Sequence, residues 1–106
     1  MNIFFDIDGT LTVETKGFGN NVFTNRTPRP EIIEKLNKLF EDGHRITLWT
    51  SRYDEDEEVT KLWLINNDVK YHKLIMGKPM FDYYICDRSY NVEKLDEVIN
   101  LSQNGK

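Results

Sequence analysis

The feature that most constrains this chain is a short apolar run that ends in a pair of carboxylates. Ile3-Phe4-Phe5 continues past Asp6 to Ile7, and Asp8-Gly9-Thr10 follows at once. The run is continuous rather than alternating, the pattern of a central strand buried on both faces. Gly9 then permits a sharp change of direction. Such a strand needs parallel neighbours beside it and helices over it. It also places Asp6 and Asp8 at its carboxyl end.

The rest of the chain supplies those partners. Arg45-Ile46-Thr47-Leu48-Trp49 reads as a second strand that ends at Thr50-Ser51-Arg52. A short strand is expected from Tyr71 to Ile75, and a fourth over Tyr83-Tyr84-Ile85-Cys86, ending at Asp87. Ile32, Ile33, Leu36, Leu39 and Phe40 repeat at helical spacing between Pro30, suited to a first turn, and Gly43, suited to a helix end. A second helix is expected from Asp54, with Glu57 placed as in a capping box and Val59, Leu62 and Trp63 as its apolar face. Asn91 can cap a last helix carrying Val92, Leu95, Val98 and Ile99. Residues 11–27 are polar around Gly17 and Gly19 and read as a β-hairpin flap. Residues 102–106 are expected to fray.

This order predicts an α/β fold: a three-layer, Rossmann-like domain with a mostly parallel sheet of about four strands. The chain of 106 residues allows one domain, 1–106. The flap is too short to be a cap domain.

Composition narrows the function. A net charge of −4 argues against a broad nucleic-acid footprint, since phosphate backbones attract basic surfaces. The lone Cys86 has no internal disulfide partner and is expected to be a small buried hydrophobe. No basic segment leads into an apolar one at the start, and no apolar run approaches the roughly 20 residues that span a bilayer. The expectation is a cytoplasmic protein with no membrane association. His44 and His72 are read as surface or structural residues.

In parallel sheets, ligands bind beyond the carboxyl ends of the strands. Asp6 and Asp8, Thr50 and Ser51, and Asp87 all follow predicted strands, and Lys78 lies in the loop before the fourth. Together they suit phosphoryl transfer. A carboxylate can attack phosphorus without an activating base, since it is ionised at neutral pH. A second carboxylate can protonate the leaving oxygen. Mg²⁺ can bridge carboxylates and phosphate, Lys78 can balance further charge, and the Thr50 hydroxyl with nearby N–H groups can hold the phosphoryl oxygens.

These residues resemble the haloacid dehalogenase (HAD) superfamily of phosphotransferases. Its Asp-x-Asp-Gly-Thr motif matches Asp6-Ile7-Asp8-Gly9-Thr10. Its strand ending in Thr or Ser matches Ile46-Thr47-Leu48-Trp49-Thr50, its Lys matches Lys78, and its acidic fourth motif matches Tyr84-Ile85-Cys86-Asp87. Thr50-Ser51-Arg52, Met76-Gly77-Lys78-Pro79 and Asp87-Arg88-Ser89 look like segments of small capless members. Those include phosphatases encoded with capsular polysaccharide biosynthesis and related phage proteins. The resemblance implies Asp6 as nucleophile, Asp8 as general acid/base, Thr50 as phosphoryl anchor and Lys78 as countercharge. Gly9, Thr10, Ser51 and Arg52 become candidate substrate contacts, with Arg88 either a further contact or a partner of a local carboxylate. Asp6, the backbone carbonyl of Asp8, and Asp87 would ligate Mg²⁺. One position departs: the family often has two adjacent acids after the fourth strand, and here the first is Cys86, a poor ligand for a hard cation.

The implied activity is Mg²⁺-dependent hydrolysis of a phosphate monoester through an aspartyl-phosphate on Asp6. The expected substrate is a small phosphorylated metabolite such as a sugar phosphate. The alternatives are a nucleotide or polynucleotide end, or a weakly active relative that binds a phosphorylated ligand or a protein. Oligomerisation would help to close so open a site.

Overall fold

The computed structural model of the protein describes residues 1–104. Three strands, β1 (Asn2–Phe5), β2 (Arg45–Trp49) and β3 (Lys73–Ile75), form one parallel sheet in the order β1-β2-β3. The helices are α1 (Asn20–Thr24), α2 (Pro30–Glu41), α3 (Glu57–Asn66) and α4 (Leu95–Asn104). Ile3 pairs with Ile46 and Phe5 with Leu48, while Leu48 also pairs with Leu74. Ile46 and Leu48 point to one face of β2 and Thr47 to the other, and all three are buried. The central strand is therefore covered on both faces, as in Rossmann-like folds.

Local signals set the best-defined helix. Pro30 begins α2, where its missing N–H costs no hydrogen bond. Gly43, at φ 94°, occupies the left-handed position that ends a helix without a Cβ penalty. Ile32, Ile33, Leu36 and Leu39 turn one face into the core. At the other end of the chain, the Asn91 side chain accepts the Glu93 N–H, capping a 3₁₀ turn that leads into α4.

Several elements differ from expectation. Residues 54–56 form a 3₁₀ turn before α3, and Asp56 accepts the Tyr53 N–H, one residue ahead of the expected capping box. The buried face of α3 is Thr60, Trp63 and Leu64, whereas Leu62 is exposed. Residues 11–27 are hairpin-like only at their base, where Thr12 bridges Pro28 and the Val13 N–H reaches the Thr27 carbonyl at 2.9 Å. Between them the chain forms α1, because Phe23 is drawn fully into the interior. The carboxyl end stays helical through Asn104, with Ser102 buried and its hydroxyl donating to the Ile99 carbonyl at 2.7 Å. The rest of the expected frayed segment, residues 105–106, lies outside the described residues.

The largest difference concerns the sheet. Among the described residues it has three strands, not four. Tyr83 is 88% and Ile85 95% exposed, and residues 83–86 join no ladder. An apolar composition qualifies a segment as a strand, but pairing needs a register with a neighbour. β1 is thus an edge strand, and it is not buried on both faces. Phe4 is 57% exposed and meets Trp49 edge-on, with ring centroids 6.1 Å apart. Cys86 is likewise exposed, not a buried hydrophobe. Among the described residues, no helix is long and apolar enough to cross a membrane.

Candidate active site

Asp6 leaves the end of β1 half-buried, and its Oδ1 accepts the Ile7 N–H at 2.8 Å. The Ile7 carbonyl in turn accepts the N–H groups of Thr10, Leu11 and Thr12, so the chain folds back at once. Gly9 makes that turn at φ 82°, and a Cβ there would lie 2.5 Å from the Thr15 methyl. Burial is the largest influence on Asp6 and raises its pKa above the ordinary carboxylate value. Lys78 opposes it most strongly, followed by the Ile7 N–H, while the negative charge of Asp8 adds to the rise and Arg52 lowers it. The balance remains a raised pKa.

The loops after β2 and β3 are laced together by main-chain bonds. The Lys78 N–H donates to the Thr50 carbonyl, and the Gly77 N–H to the Arg52 carbonyl, each at 2.8 Å. The Thr50 N–H donates to the Ile75 carbonyl at 3.0 Å. This lacing brings Lys78 toward Asp6, and its Nζ lies 5.0 Å from the ring centroids of both Trp49 and Phe81. Thr50 is buried, and its hydroxyl accepts the Arg52 N–H at 3.2 Å. Ser51 is half-buried, and among the described residues neither its N–H nor its hydroxyl has a partner.

Asp8 is held differently. Arg52 grips both carboxylate oxygens, and Arg26 Nε adds a third contact, to Oδ1, at 3.0 Å. The Arg52 guanidinium also donates to Thr60 Oγ1 and lies 3.8 Å from the centroid of the Phe23 ring. Arg26 donates its remaining nitrogens to the carbonyls of Lys16 and Gly17. Arg52, expected at the substrate, is thus fully buried and committed to Asp8 and Thr60. Gly9 and Thr10 also spend their N–H groups internally, on Thr12 Oγ1 and the Ile7 carbonyl.

Asp6, Gly9, Thr10 and Lys78 line one cleft of about 1190 Å³ that runs along β1. Arg88 lines it too, and among the described residues it pairs with no carboxylate. Asp8, Thr50, Ser51, Arg52 and Asp87 do not line it, and Asp87 lies exposed beside Cys86, with Sγ 3.8 Å from its Oδ1. The oxygen donors suit a hard cation at one end. Among the described residues, no hydrogen bond engages Asp6 Oδ2 or the Asp8 carbonyl. Asp87 is not gathered to them, and the described residues contain no cluster of three or more His, Cys, Asp or Glu side chains able to hold a metal ion.

Sequence reasoning missed Arg26, Phe23 and Thr60, which fix Asp8 and its clamp. No local pattern marks Arg26 or Phe23, whose partners Asp8 and Arg52 lie far off in the chain, whereas Thr60 meets Arg52 only eight residues away. Trp49 ends a predicted strand and Phe81 follows Lys78 closely, so the loop composition held a signal for the aromatic pair around the lysine.

No protein-family model and no curated protein matches the chain. Solved structures do. A crystal structure of a target protein from Vibrio cholerae is similar over 100% of both chains, with 24% identity and a TM-score of 0.78. A structure of the Pnkp1/Rnl/Hen1 complex matches 92% of this chain at 21% identity, and one of the Pnkp1/Rnl/Hen1 RNA repair complex matches 96% at 15%, both with a TM-score of 0.63. This chain spans only 34% and 31% of those two. At such identities the likeness establishes a shared fold.

Proposed function

We propose that the protein is a phosphate monoester hydrolase of the HAD type, with Asp6 as its nucleophile. The observation that carries this reading is the placement of Asp6 and Lys78 on one cleft at the carboxyl ends of parallel strands. Asp6 Oδ2 attacks phosphorus, and the bond to the ester oxygen breaks as the aspartyl-phosphate forms. The leaving oxygen takes a proton from Asp8, which must first give up a guanidinium contact to hold one. Water then attacks the aspartyl-phosphate, Asp8 accepts its proton, and phosphate leaves with Asp6 restored. Lys78 offsets the charge on the phosphoryl oxygens, and the Ser51 N–H and Thr50 hydroxyl hold them.

Mg²⁺, when bound, supplies the positive charge that lets two carboxylates and a phosphate share one site. Asp6 and the Asp8 carbonyl are its proposed ligands, with Asp87 added by the resemblance. The substrate is a small phosphorylated metabolite. The likeness to part of an RNA repair complex brings in a polynucleotide end as the second reading, against which the net charge of −4 weighs.

The test is hydrolysis of a generic aryl phosphate, with Mg²⁺ and with EDTA, beside Asp6→Asn. Turnover is expected from the wild type with Mg²⁺ and from neither control. Equal rates in wild type and variant would remove Asp6 as nucleophile.

A further inference from the structure

The aromatic rings beside the site are not placed as core residues. Phe4 and Tyr84 are each 57% exposed and Phe81 51%, and Trp49 is only half-buried. They form one connected row. Phe4 meets Trp49 at 6.1 Å, Trp49 and Phe81 each lie 5.0 Å from Lys78 Nζ, and Phe81 meets Tyr84 at 5.5 Å. The ammonium whose charge acts on Asp6 thus sits over two rings in the middle of a row of four. All four rings line the same cleft as Asp6 and Lys78. Exposed aromatic surface rimmed by polar groups marks a binding groove.

The geometry points to a phosphate ester whose esterified part carries a planar aromatic ring, a nucleoside monophosphate or an aryl phosphate rather than a plain sugar phosphate. A phosphate held by Lys78 and facing Asp6 lays the rest of its ester along the row. Ring faces accept any planar π-system without a hydrogen-bond code. The free ester is small, so the acidic net charge that disfavours long nucleic acids does not oppose it. This inference rests on the Asp6 hydrolase reading for its phosphate end.

The experiment measures kcat/KM for a nucleoside monophosphate, phenyl phosphate, a hexose phosphate and glycerol phosphate. The enzymes are the wild type, Tyr84→Ala and Tyr84→Phe. Tyr84 is chosen because it is exposed and is not one of the two rings against Lys78. The ring-bearing esters are expected to be favoured, and Tyr84→Ala to lower their kcat/KM about 5- to 100-fold, the usual worth of one stacking ring. Glycerol phosphate should change less than about twofold, and Tyr84→Phe should restore the ring-bearing esters. Equal losses on all four esters, or a preference for the hexose phosphate, would overturn the inference. Calorimetric titration of Asp6→Asn with the same four esters separates the two readings. If wild type hydrolyses none of them yet the ring-bearing esters bind more tightly, the hydrolase reading falls and the ring site stands. If hydrolysis occurs without ring preference, or if Tyr84→Ala merely abolishes self-association of the chain, the ring site falls.

Discussion

Arg52 reaches Asp8 with two nitrogens at once, Nε to Oδ2 at 3.0 Å and Nη2 to Oδ1 at 2.7 Å. The guanidinium is fully buried, stacked on Phe23 and bonded to Thr60. One carboxylate therefore ties the end of β1 to the loop after β2, and through Arg26 to the segment that carries α1. The fork geometry of the guanidinium suits this task in a way a lysine ammonium does not.

Breaking that clamp should cost stability. Arg52→Ala leaves Asp8 with one guanidinium, and Asp8→Ala leaves two buried guanidiniums without their carboxylate. Removing one partner of a buried pair costs about 3–5 kcal/mol, and Asp8→Ala should lie at the upper end. Arg52→Lys should recover little of the loss. Urea unfolding midpoints of the variants check the order.

Gly9→Ala should destabilise through the backbone more than through the clash. A left-handed φ costs a residue with a side chain about 1–2 kcal/mol, whereas Thr15 is exposed and its methyl can give way. Adding Thr15→Gly to Gly9→Ala should therefore restore only a minor part of the loss. Full recovery in the double variant would show that the methyl contact, not φ, forbids a side chain.

The raised pKa of Asp6 predicts a pH-dependent stability with a definite sign. The folded state holds the Asp6 proton more tightly than the unfolded chain does. This group's contribution is therefore favourable in acid and is lost as pH rises from 3.8 through the folded-state value. Asp6→Asn removes the penalty of burying the charge. In EDTA its melting temperature should exceed that of wild type at pH 7, by about 4–8 °C per kcal/mol relieved, and the gain should vanish near pH 3. A variant less stable than wild type at pH 7 would contradict this.

Lys78 is the strongest influence lowering the Asp6 pKa. Lys78→Ala should push that pKa higher still, so the acid limb of the kcat/KM profile moves to higher pH. The rate on its plateau should drop about 10²-fold, as for loss of one preorganised transition-state partner. A lower plateau with an unmoved limb would separate the two roles of the lysine.

Cys86 and Asp87 lie outside the cluster around Asp6. If Asp87 nevertheless carries a share of the Mg²⁺, Cys86→Asp should supply a second hard ligand beside it and lower the Mg²⁺ needed for half-maximal rate. Asp87→Asn should raise it. Unchanged titrations in both would leave Asp6 and the Asp8 carbonyl as the ligands.

The sequence by itself determined the elements whose signals are local. Pro30 and Gly43 bracket α2 because a missing N–H and a left-handed φ act within a turn of the residue that bears them. β2 spans Arg45–Trp49 as its apolar run predicted, and Asn91 caps the turn before α4. Asp6 and Lys78 were legible as site candidates because parallel strands present their ends on one side. Tertiary structure decided what depends on distant partners. The bonds from Arg26 and Arg52 to Asp8 span 18 and 44 residues, and no spacing rule foretells which buried cations will meet one carboxylate. Tyr83–Cys86 has the composition of a strand, but composition does not supply a ladder partner, so β1 keeps an open edge and Phe4 an exposed ring. The same open edge gives Asp6 its cleft and its aromatic row, features no stretch of the chain carries alone.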